Sequence, residues 1–184
     1  MTRFEAYLLL RRRLRDKSRV RRSLAVEAAM EDLAERLGRE PERWALAGLL
    51  HDIDWEFVRT NPTRQGKVAA EMLAAEGLEA DICSAVEEFR RPGKPGSQLA
   101  AALAASAAAV DVLMELAAVQ DDWGLLSAES LYRACTDQSV APDVDRRPFG
   151  YLEDFGLSEP ELVESVRRSL LRVASDVFRG SGGG

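Results

Sequence analysis

Glu42-Arg43-Trp44-Ala45-Leu46-Ala47-Gly48-Leu49-Leu50-His51-Asp52-Ile53-Asp54-Trp55-Glu56 is the stretch from which the fold is read. Pro41 precedes it and suits the first turn of a helix, where the N–H that proline lacks would have no partner anyway. Trp44, Leu46, Leu49 and Leu50 make that helix apolar, and it ends in His51-Asp52. His51 is the single histidine of a chain of 184 residues. A lone histidine is ordinarily a satisfied core or surface residue. This one closes an apolar helix and is followed at once by Asp52.

Outward from this stretch nearly everything reads as helix. Leu24, Val26, Met30, Leu33, Ala34 and Leu37 recur at helical spacing between Ser23 and Leu37, and Gly38 is the stop. Residues 3–16 are apolar and then basic. Downstream, Asn61-Pro62 opens a helix through Leu73 that stops near Gly77, and residues 78–90 form a further amphipathic helix. Arg91-Pro92-Gly93-Lys94-Pro95-Gly96 is a loop. Residues 97–119 are the longest helix; its alanine-rich stretch lets neighbours approach closely, which predicts a central position. Gly124 separates it from a shorter helix at 127–137. The capping box Ser158-Glu159-Pro160-Glu161 starts the last helix, which runs to about Phe178. No β-alternation of useful length and no internal repeat appear. The expectation is an all-α bundle of about seven helices, one domain over 1–179, with a flexible tail at 180–184.

An apolar fraction of 46%, a charged fraction of 30% and a net charge of −6 describe a globular protein without a field that favours nucleic acid. No apolar run is expected to reach the roughly 18 residues that span a bilayer, and Met1-Thr2-Arg3-Phe4-Glu5 lacks a secretory pattern. Cys83 and Cys135 form no CxxC pair and are expected to pack as small apolar residues in a reducing cytoplasm. Arg11, Arg12, Arg13, Arg15, Lys17, Arg19, Arg21 and Arg22 face one acid, Asp16. That run reads first as a solvated helix face and second as an anion or phosphate patch; no aromatics interleave it for base stacking.

The stretch Glu42–Glu56 resembles the core of a small group in the HD-domain (HDIG-type) metal-dependent phosphohydrolase-like family. Ser23–Met30 is similar to the helix that opens with a ligand histidine, and Ser139-Val140-Ala141-Pro142-Asp143-Val144-Asp145-Arg146 is similar to the group's C-terminal signature. The resemblance covers about residues 20 to 178. It implies a metal held by a first histidine, the His-Asp pair and a distant aspartate, with further histidines for a second metal or phosphate. Carried over position by position, the first histidine falls on Arg22, the pair is His51 and Asp52, the intervening histidines fall on Gln65 and Phe89, and the distant aspartate is Asp111.

The departures decide what the resemblance implies here. A dinuclear centre needs more imidazoles than the chain owns. A mononuclear site would have only His51, Asp52 and Asp111, with Arg22, which has no lone pair to offer, in their midst. Arg22 is therefore expected to take the metal's place electrostatically and neutralise Asp52 and Asp111, with no metal and no cofactor bound. Three functions follow. The first is a metal-free catalyst of lyase, isomerase or cyclase type, with His51 as acid or base, Asp52 or Asp54 orienting its ring, and Arg22 binding an anionic group. Gln65, Phe89, Asp54, Trp55 and Asp111 would line the small-molecule pocket; Glu87 and Glu88 are secondary and read first as solvated. The second is a non-catalytic binding or scaffold protein, with a homodimer as its self-association. The third is the family's own metal-dependent phosphohydrolysis. Cys83 would be a nucleophile only if His51 lay beside it. No nucleic-acid or membrane partner is expected.

Overall fold

The computed structural model describes residues 1–119 and 127–178; Gly124 and the tail at 180–184 lie outside the described residues. Among those described, the architecture is entirely helical: α1 (Arg3–Arg13), α2 (Lys17–Arg36), α3 (Pro41–Leu50), the single turn α4 (Trp55–Val58), α5 (Lys67–Ala75), α6 (Ala80–Glu88), α7 (Gln98–Val119), α8 (Ala128–Thr136) and α9 (Glu159–Phe178). Short 3-10 turns occupy Pro62–Arg64, Arg147–Tyr151 and Glu153–Phe155.

Local chemistry sets most boundaries. Thr2 and Glu5 form a capping box on α1. Asp16 caps α2, accepting from the Ser18 N–H at 2.9 Å and the Arg19 N–H at 3.3 Å, so α2 begins six residues before the apolar periodicity at Ser23 announces it. The basic run Lys17–Arg22 is thus helical, although cations in a first turn oppose the helix dipole. The helix expected to open at Pro62 starts only at Lys67, after a 3-10 turn and Gly66 at φ 84°. The Ser158–Glu161 box on α9 forms as expected.

α2 is the hub, packed on α3, α7 and α9. Its approach to α3 is close because Gly48 has no side chain: a Cβ there would lie 2.8 Å from the Val26 carbonyl oxygen and 2.9 Å from Glu27 Cα. α7 runs through the centre, touching α2, α3, α6, α8 and α9, with Ala100, Ala102, Ala105 and Ala109 fully buried. This corrects the expectation of no long apolar run. Gln98–Leu116, 19 residues, is long and apolar enough to cross a membrane, but 78% of that stretch is buried inside the fold, as a core helix must be. Both cysteines are buried, and burial pushes the Cys135 thiol up to about 12.

The stretch Ser139–Arg146 folds around one side chain. Arg146 donates from Nε to the Cys135 carbonyl at 2.9 Å, and from its Nη groups to the carbonyls of Ala134, Asp137, Val140, Ala141 and Val144. That cradle holds Ala141 at φ 52°, a left-handed conformation rare for a residue with a Cβ.

Candidate functional site

Where α3 ends, His51 turns its ring into the core and is fully buried. Its Nδ1 lies 2.7 Å from the Gly48 carbonyl oxygen, which can only accept, so Nδ1 carries the proton. Nε2 is met by Arg22 Nη1, which can only donate, so Nε2 offers its lone pair. The same Nη1 donates to Asp52 Oδ2 at 2.7 Å. On the opposite side, Arg22 grips Asp111 of α7 with both arms of its fork: Nε to Oδ1 at 2.6 Å and Nη2 to Oδ2 at 2.8 Å. Gln65 Nε2 donates to Asp52 Oδ1 at 2.8 Å, and the Phe89 ring meets the imidazole edge to face at 5.2 Å between centroids. The six positions singled out from the sequence converge on one point, brought there from α2, α3, α7, the end of α6 and the turn before α5.

The charges within this point are mutually dependent. The Arg22 side chain is 4% exposed and that of Asp52 0%. Burial alone would lower the Arg22 pKa; Asp52 and Asp111 more than reverse this and raise it. Burial alone would raise the Asp52 carboxyl, yet the charge of Arg22 holds it well below the ordinary carboxylate range. No group of three or more His, Cys, Asp or Glu side chains placed to hold a metal occurs among the described residues.

A cavity of about 870 Å³ opens beside the cluster. Arg22, Gln65, Phe89 and Asp111 reach its wall; His51 and Asp52 do not. The direct proton transfer expected of His51 therefore lacks access to the cavity, and both ring nitrogens are already hydrogen-bonded. Asp54 and Trp55, expected to bind substrate, also stay off the wall. Asp54 Oδ2 caps α5, accepting the N–H groups of Gly66 at 2.9 Å and Ala69 at 3.0 Å, while its other oxygen is buried without a partner. Burial raises the Asp54 carboxyl. Trp55 supports Arg19, whose guanidinium carbon stands 3.6 Å over its ring. Glu87 pairs with Arg91, and Glu88 lines the cavity while accepting the Gly96 N–H at 2.7 Å. The Cys83 thiol faces the Leu78 carbonyl at 3.8 Å, away from the nucleophile role that needed His51.

Two further arginines stand at this wall: Arg19, which the sequence placed only in a basic run, and Arg90, which it did not single out. Arg19 reaches to 3.5 Å from Asp52, and its place one helical turn before Arg22 could have revealed it. Arg90 lines the cavity just past α6, and only its position next to Phe89 hinted at that.

Residues 19–121 match the family model described as HD domain. No curated protein and no solved structure matches the chain. The match spans more than half of the sequence and contains Arg22, His51, Asp52, Gln65, Phe89 and Asp111, and the chain belongs to the HD domain family, an all-α fold.

Proposed function

We propose that this HD-domain protein has exchanged its metal centre for Arg22 and uses the neighbouring cavity to bind a small molecule without a metal. One observation carries the reading: Arg22 donates to Asp52 at 2.7 Å and to both oxygens of Asp111 at 2.6 and 2.8 Å, and also meets His51 Nε2. The residues do not fit a divalent cation. A guanidinium between three ligand-type side chains supplies a positive charge and no lone pair, and it takes the lone pairs a cation would need. His51 is a positioning residue here: it accepts from Arg22 and is oriented by Gly48. The binding reading is supported over acid–base catalysis because His51 is fully buried and does not line the cavity.

The family's phosphohydrolysis is the second reading, favoured by the convergence of His51, Asp52 and Asp111 on one point. It requires Arg22 to leave that point. Thermal unfolding separates the two. A metal that binds only the folded state raises the unfolding temperature by mass action. The expected result is the same midpoint with chelator, with manganese and with zinc; a midpoint raised by several degrees in one metal overturns the metal-free reading.

A further inference from the structure

Resting on the metal-free cavity above, we propose that Arg90 is the seat for the carboxylate of a monoanionic organic acid whose apolar body lies against the alanine wall of α7. Five arginines line the cavity: Arg19, Arg22, Arg90, Arg91 and Arg147. Four have partners. Arg22 is held by Asp52 and Asp111, Arg19 by Trp55 and Asp52, Arg91 by Glu87, and Arg147 by Asp145 at 2.6 Å. Among the described residues Arg90 makes no ion pair and no hydrogen bond within contact distance; its guanidinium carbon stands 5.4 Å from the Phe89 ring, with Asp52 and Asp111 farther off. Arg90 is solvent-accessible; partial burial of its guanidinium and the charge of Arg22 lower its pKa, against the pull of Asp52 and Asp111.

The lining also says which anion. Glu88, Asp111, Glu115, Asp143 and Asp145 face the same space; Asp111 and Asp145 are paired with Arg22 and Arg147, and the remaining acids repel a ligand with a second negative charge. One carboxylate matches the guanidinium fork with two parallel hydrogen bonds. Ala104, Ala107 and Ala108 of α7, with Met114 and Phe89, give an apolar surface for the rest of the molecule. Arg90 and this wall belong to one cavity, and a linear or small cyclic acid spans both.

The test is calorimetric titration of the full chain in divalent-free buffer, with sodium octanoate and, separately, inorganic phosphate at equal ionic strength. Octanoate binds, phosphate binds more weakly, and Arg90→Gln weakens octanoate by about tenfold or more, the loss of a charged hydrogen-bond pair. Circular dichroism of Arg90→Gln stays that of the parent chain, since the side chain holds no structural contact. Equal octanoate affinity in Arg90→Gln, phosphate binding the tighter of the two, or no octanoate binding each overturns the assignment. None of these readouts involves a metal, so a failure here leaves the Arg22 reading standing, and a metal found in the site overturns that reading alone.

Discussion

Two ion clusters share α2, about 15 Å apart by helix rise, and they are built inside out relative to each other. Around Asp32 the carboxylate is the buried centre, 0% exposed, and arginines reach it from solvent: Arg36 at 2.9 Å with its side chain 31% exposed, and Arg168 of α9 with its side chain 49% exposed. Around Arg22 the guanidinium is the centre, 4% exposed, and the carboxylates surround it. The difference is redundancy. Removing one arginine from Asp32 leaves another to neutralise the acid. Removing Arg22 leaves the fully buried Asp52 with Gln65 at 2.8 Å and only the longer 3.5 Å approach of Arg19, and leaves the His51 lone pair unmet. A buried charge left alone is expensive, whereas a solvent-facing pair contributes little.

The largest expected effect tests that contrast at its centre. Arg22→Met keeps the bulk of the side chain and removes its charge, and is expected to cost about 3–5 kcal/mol in urea unfolding. A loss below about 1 kcal/mol would mean the cluster is as forgiving as an exposed pair and would break the comparison. Arg22→His sharpens it: the variant is destabilised on the same scale when metal-free, and added manganese or zinc restores part of the loss through the family's ligand position. No response to either ion would show that His51, Asp52 and Asp111 do not form a metal site even with a histidine restored beside them.

Next in size is Asp52→Asn, which keeps the shape of the side chain while weakening the contacts with Arg22 and Gln65; about 1–3 kcal/mol is expected at neutral pH. Its signature is the pH dependence. The Asp52 carboxyl is depressed in the folded protein, so its contribution is fully present above the unfolded value of about 3.9 and is lost as pH falls through the lower folded value. Acid unfolding of the parent chain should steepen below about pH 4, and Asp52→Asn should flatten that limb. An unchanged limb would assign acid sensitivity to other groups, of which Asp32, also depressed despite its burial, is the first. The smallest effect is expected for Arg168→Ala, about 0–1 kcal/mol, because Arg36 remains on Asp32. A cost near that of Arg22→Met would erase the distinction between the clusters.

Much of this was readable in the sequence because it rests on local rules. Helical spacing, Pro41, Gly38 and the Ser158–Glu161 box placed most helices, and the Glu42–Glu56 stretch pointed to the fold that the family match supports. The convergence of Arg22 with Asp111, 89 residues apart, followed from the resemblance rather than from any local pattern. What stayed hidden depended on long-range packing. The start of α2 lies in a run with Val20 as its one apolar residue, so periodicity is silent there and only the Asp16 cap marks it. Asp54 looked like a pocket residue because it follows His51-Asp52, whereas chain reversal at Gly66 turns it into the cap of α5. The burial of His51 has no sequence signal at all: Arg22 and Phe89, both on the cavity wall, pack against the imidazole.

Elemental mass spectrometry of the purified chain, after dialysis against iron, manganese and zinc and then against metal-free buffer, tests the exchange of metal for Arg22 most directly. The account predicts far less than one metal ion per chain for all three. Close to one tightly held ion per chain would contradict it, because Arg22 could not then occupy the point where His51, Asp52 and Asp111 meet.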